Sequence, residues 1–147
     1  MKAKPYDTPQ GTVKVANEQF VWYNQIDRIR LIREGLPYAT IEALSAKANI
    51  AVKHILQLFD IPQTTYNKKK RDLDKLGGRD TEIILMLIEL IDYGVEVFNQ
   101  EEEKFQKWLG KPNLSLGGET PQSYFDSLTG IQEVKKCLDR IEYGNYA

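Results

Sequence analysis

The sequence predicts an all-α protein in two helical regions, an N-terminal one packed on a C-terminal one. Apolar residues recur at helical spacing in segment after segment. Glycine, proline and asparagine punctuate the gaps between those segments. No stretch reads as the two-residue alternation of a strand, and there is no internal repeat.

Met1 to about Glu18 reads as a loose arm, with Pro5, Pro9 and Gly11 and no sustained period. Gln19 to Glu34 reads as helix, with Ile26, Ile29 and Ile32 three apart, stopped by Gly35 and Pro37. A second helix is expected from Thr40 as N-cap, with Ile41, Leu44 and Ala48 inward and Asn49 as its end. A third runs from about Ala51 to Phe59, and Asp60-Ile61-Pro62 is a tight turn. A fourth begins near Gln63 and carries Tyr66, the Lys68-Lys69-Lys70-Arg71 run and Leu73, with Tyr66 and Leu73 facing inward beside Ile61.

Gly77-Gly78 breaks the chain, and Asp80 or Thr81 is expected to cap the next helix. Its centre, Ile83 to Ile88, is apolar all round and should be a buried spine. Asn99 is expected to cap a helix whose first turn holds Glu101, Glu102 and Glu103, where the helix dipole favours anions, and which ends at Leu109. Thr120-Pro121 has the form of a cap followed by proline at the first helical position. Thr129 to Gln132 has capping-box spacing and opens a last helix with Ile131, Val134, Leu138 and Ile141 on one face, closing at Gly144. The expected organisation is an arm at 1–24, a helix-turn-helix region at 25–79 and a helical region at 80–147.

A chain of 147 residues with 41% hydrophobic and 28% charged residues suits a folded globular protein. The opening residues carry no secretory pattern, and the run Ile83–Ile91, broken by Glu89, is far shorter than the roughly 20 residues of a membrane span. A single cysteine, Cys137, excludes an internal disulfide and suits a reducing cytoplasm. The net charge of −1 hides a split: residues 1–79 carry 14 Lys+Arg and 8 Asp+Glu, residues 80–147 carry 6 and 13. Such a split suits separate partners, phosphates for the basic half, or is chance clustering on the surface.

Helix, short turn and polar helix over Ile50–Arg71 is the helix-turn-helix pattern. Gln63, Thr64 and Asn67 can reach base edges while Lys68, Lys69 and Arg71 meet phosphates. The competing reading is a helical hairpin with a solvated lysine face. Catalysis has little to work with. His54 is the only histidine and reads as a surface or boundary residue, Cys137 has no identifiable base, and no residue spacing suits a metal. The Gly117-Gly118 pair lacks the longer glycine pattern of a phosphate loop and reads as a tight turn. No enzyme activity and no cofactor are expected.

Several blocks follow one another in a familiar order: Ile32-Arg33-Glu34-Gly35-Leu36-Pro37, the helix-turn-helix, Val97-Phe98, Trp108-Leu109-x-x-Pro112-Asn113, Leu116-Gly117-Gly118-x-Thr120-Pro121 and Arg140-Ile141-Glu142-x-Gly144. Over roughly residues 26–147 the chain resembles the Xre/MbcA/ParS-type antitoxins, the partners of RES-domain toxins. The resemblance implies a cytoplasmic, dimeric type II antitoxin that binds a NAD-degrading toxin, covers its active-site entrance and represses its own operon. It implies toxin contacts at Gly117, Gly118, Pro121, Arg140, Glu142, Tyr143, Gly144 and Tyr146, the two glycines and the proline serving equally well to shape the loop. The chain departs from the family pattern at Tyr143, often histidine, at Asn145, often a branched apolar residue, and at Gln122, often leucine. It also has Asp60 and Pro62 in a turn where glycine and serine are common. The alternatives are a plain helix-turn-helix transcriptional regulator with a helical dimerisation or effector half, and a helical adaptor that binds only protein.

Overall fold

A computed structural model describes residues 8–144. The chain divides into two compact units, Met1–Glu89 and Leu90–Ala147. The fold is mostly helical, with one small sheet.

The front unit opens with a hairpin of β1 (Gly11–Val15) and β2 (Glu18–Trp22), paired antiparallel from Gly11 opposite Trp22 to Val15 opposite Glu18. This corrects the reading of a loose arm running into a helix from Gln19. The strand signal is a short alternation on each side of Ala16-Asn17: Val13 and Val15 on one strand, Phe20 and Trp22 on the other. Val13, Val15 and Trp22 are buried. Gly11 is required opposite Trp22, since a Cβ there would lie 2.1 Å from the indole ring. The indole N–H donates to Glu89 at 2.9 Å, and Arg28 pairs with the same carboxylate.

Helix α1 is Gln25–Glu34, capped by the Asn24 side chain and ended by Gly35 at φ 82°. It has no buried residue, and Ile26 and Ile29, spaced for an inward face, are exposed. Helix α2 (Thr40–Ala48) ends on Asn49 in the left-handed region, as expected. Thr40 is not its cap: Ala39 precedes the helix, and Thr40 is buried with its hydroxyl unpartnered. Helix α3 (Val52–Leu58) and helix α4 (Gln63–Arg71) follow.

Three successive helices of this unit end in the same way. Asn49, Asp60 and Leu73 take φ near +55°. The next residue's N–H then bonds back five residues: Ile50 to Ser45, Ile61 to Leu56 and Asp74 to Lys69. This is the Schellman stop, usually supplied by glycine. It places Leu73 outside α4 at 82% exposure, correcting its inward assignment. Helix α5 (Gly78–Val97) begins on the second glycine and not on an Asp80 or Thr81 cap. Thr81 is buried and accepts from the Leu36 N–H at 3.1 Å, fixing the strap after α1. Ile83, Ile84, Leu85, Leu87 and Ile88 are buried, as the apolar run predicts.

In the back unit, Asn99 at φ 57° stops α5 instead of capping the next helix, with Gln100 N–H bonded to Val95. Helix α6 is Glu102–Leu109, preceded by Glu101. Phe98, Phe105 and Trp108 cluster with ring centroids 5.6–6.1 Å apart. Short 3-10 turns cover Leu114–Leu116 and Pro121–Tyr124, the second entered through Thr120 with proline at its start. Helix α7 (Leu128–Glu142) is capped by Ser127, whose hydroxyl accepts from Gly130 N–H, and not by the Thr129 capping box. Ile131, Val134, Cys137 and Leu138 form the buried face of α7, and Phe105, Leu109, Leu116 and Phe125 are buried in the same unit. Among the described residues no helix is long and apolar enough to cross a membrane.

Candidate functional site

The first site is α4, held by the α3–α4 turn. Asp60 makes the left-handed residue of the turn, and Pro62 precedes α4 in extended geometry at φ −63°. Tyr66 is buried on the inner side. Burial, with the Glu42 carboxylate nearby, pushes its phenol well above its usual value. Gln63, Thr64, Asn67, Lys68 and Arg71 are exposed, and Lys69 is half-buried. The Gln63 amide donates to the Asn67 side-chain oxygen at 3.0 Å, so two candidate base-reading groups are already oriented by each other.

The cations are less free than the sequence suggests. Lys69 lies 3.5 Å from Asp74 and Arg71 lies 3.7 Å from Asp72. Lys70, passed over in the sequence reading, pairs with Glu42 of α2 and sits 5.8 Å from the Tyr66 ring centroid. Lys68 has no ion pair among the described residues, which makes it the best placed of the run for a phosphate. His54 is exposed, as expected of a surface residue.

The second site lies in the back unit. Gly117 and Gly118 are exposed at φ 69° and 83°, a conformation that favours glycine although a Cβ on Gly118 would meet nothing. Pro121 is buried in its turn. Arg140 is half-buried and donates to the Cys137 sulfur at 3.0 Å. Burial raises the Cys137 thiol above its usual value, against the opposing charge of Arg140, so the thiol is not activated. Glu142, Tyr143 and Gly144 are exposed at the end of α7, Tyr143 at 78%. Tyr146 lies outside the described residues.

The sequence reading missed what orients that end. The Tyr93 hydroxyl on α5 donates to Asp139 at 2.6 Å. Lys135 lies 3.2 Å from the same carboxylate and 5.1 Å from the Tyr93 ring centroid. The i, i+4 spacing of Lys135 and Asp139 was legible, but the partner 46 residues away was not. Among the described residues no group of three or more His, Cys, Asp or Glu could hold a metal.

Comparison with known proteins joins the two sites. Residues 27–89 match the antitoxin Xre-like helix-turn-helix domain, and residues 94–144 match the antitoxin Xre/MbcA/ParS C-terminal toxin-binding domain. The chain is 25% identical over 114 residues to an Antitoxin Xre of Photorhabdus laumondii, covering 78% of this chain and 77% of that protein. It is 24% identical over 116 residues to an Antitoxin Xre of Yersinia enterocolitica, covering 79% and 78%. It is also 24% identical over 146 residues to a Prs ADP-ribosylating antitoxin of a Sphingobium species, covering 94% and 92%. A helix-turn-helix domain thus precedes a toxin-binding domain in this chain, and the chain belongs to the Xre/MbcA/ParS-type antitoxins, whose role is binding and not catalysis.

Proposed function

We propose that this antitoxin neutralises a cognate RES-type, NAD-degrading toxin in the cytoplasm by covering the entrance to its active site. The observation that carries this reading is the exposed end of α7, Glu142 to Gly144, within the segment matched to a toxin-binding domain. Arg140, Glu142, Tyr143, Gly144 and Tyr146 make the contacts. Gly117 and Gly118 set the neighbouring loop, and Pro121 acts by shaping it from within. No chemistry is needed, because a protein surface seated over the entrance excludes substrate. The toxin region is taken as 80–147, the DNA-binding region as 25–79 and the segment 1–24 as a separate element.

The same chain represses its own operon. Two copies place their recognition helices about 34–36 Å apart on an inverted repeat. Gln63, Thr64 and Asn67 read bases, while Lys68, Lys69 and Arg71 meet phosphates. The test is expression of the neighbouring reading frame with and without this chain. Growth should stop and NAD should fall with the neighbour alone, and both should recover with the pair. A harmless neighbour sinks the proposal.

A second toxin chemistry is favoured by one observation. The Sphingobium relative aligned over 94% of the chain is named a Prs ADP-ribosylating antitoxin. In that case the partner modifies a protein and does not simply consume the dinucleotide. A labelled ADP-ribose mark on a cell protein, blocked by this chain, distinguishes the two.

A further inference from the structure

Leu114 is the most exposed large apolar residue described, at 95%, and it stands on a loop that is tied down on every side. The Asn113 N–H donates to Glu119 and the Gly118 N–H donates back to Asn113, both at 2.9 Å. The Asn113 side chain accepts from Ser115 N–H at 2.9 Å, capping the turn that carries Leu114. The Tyr124 hydroxyl donates to the Leu116 carbonyl at 2.8 Å, and Leu116 itself is buried beneath. Two consecutive glycines at positive φ close the loop. A slack loop would let a leucine fold down onto the surface. This one holds it in water.

Apolar side chains pre-organised in this way bind without the ordering cost of a mobile loop, and an aliphatic anchor in a pocket is one form that the centre of a binding interface takes. We propose that Leu114 is an apolar anchor of the antitoxin, seated in a single concave apolar socket on the toxin. The occupant follows from continuity: Leu114 lies inside residues 94–144, the segment matched to a toxin-binding domain. The inference rests on the antitoxin reading above and adds a contact outside the α7 end.

The test is calorimetric binding of the full chain to the protein of the neighbouring reading frame, purified as an inactive variant. Leu114→Asp should weaken binding about 30-fold or more, the scale of an interface hot spot. Leu114→Ala should fall between it and the parent. Circular dichroism should be unchanged, since the side chain touches little. Leu73→Asp, at an exposed leucine of the front unit, should bind as the parent does. If Leu114→Asp binds the toxin normally, the anchor is wrong while the antitoxin reading stands. If it instead changes only the oligomeric mass of the free chain, Leu114 serves self-association and the proposal is overturned. If the parent chain does not bind the neighbour, the antitoxin reading fails and the anchor with it.

Discussion

The front unit stops three successive helices on left-handed non-glycine residues, whereas the back unit seats a buried aromatic ring against a glycine within a helix. In front, Asn49, Asp60 and Leu73 each turn the chain at φ near +55° with bonds back to the preceding helix. In the back, Gly94 leaves room for the Phe105 ring, which an added Cβ would approach to 2.1 Å. Gly130 does the same for the Tyr124 carbonyl at 2.2 Å. A left-handed non-glycine residue carries a strain of roughly 1–2 kcal/mol, but it depends on its own few neighbours. A glycine under a buried ring depends on a partner elsewhere in the unit, and no local adjustment replaces it. The helix ends of the front unit should therefore tolerate change, while the glycine contacts should be brittle, at Gly94 in the back unit and at Gly11 under Trp22 in the front hairpin.

The largest stability loss should come from the back unit. Phe105→Ala removes a fully buried ring stacked among Phe98 and Trp108 and should cost about 3–5 kcal/mol in denaturant unfolding. A loss below 1 kcal/mol would mean that the aromatic cluster is not a core. Gly94→Ala should cost about 1–3 kcal/mol, the overpacking range, and the double variant Gly94→Ala, Phe105→Leu should recover part of it. Strict additivity of the two changes would show that they do not meet.

Changes to α4 should leave stability nearly untouched and alter binding. Replacing Lys68, Lys69 and Arg71 together with alanine should weaken operator binding and flatten its salt dependence, each lost phosphate contact lowering the slope by about 0.9. Lys68 alone should account for the largest share, because Lys69 and Arg71 already have carboxylates at 3.5 and 3.7 Å. Equal shares in a salt titration would show that those ion pairs open freely on DNA. The smallest effect is a gain. Leu73→Gly relieves the left-handed strain and should stabilise the front unit by about 1 kcal/mol. Destabilisation in denaturant unfolding would mean that the flexibility glycine adds to the unfolded chain outweighs the strain relieved.

The same contrast explains what was legible in the sequence. Helices α2, α3 and α4, and the stops of α1, α2 and α3 at Gly35, Asn49 and Asp60, follow from local spacing and turn chemistry, and so does the largely buried run Ile83–Ile88. The hairpin was missed because each strand has only five residues and its proof lies in the pairing of Val13 with Phe20. Asn99, Thr120 and Thr129 show how far capping residues go. Asparagine suits a left-handed stop as well as a cap, and Ser127 takes the capping role two residues before Thr129. For the sites, residue types and order were readable, and they carried the family resemblance. The ion pairs of α4, the Tyr93–Asp139 bond and the rigid mounting of Leu114 were not, because each joins residues that only the fold makes neighbours.

The central claim is that the end of α7 blocks the toxin while the front unit works on its own partner. The most direct measurement co-expresses the neighbouring reading frame with the full chain or with a chain ending at Leu138, following growth and cellular NAD. Circular dichroism and thermal unfolding of the same two chains serve as the check on folding, and operator binding reports the front unit. The account predicts rescue and restored NAD with the full chain only, and operator binding by both. A shortened chain that protects the cell as well as the full one would contradict it.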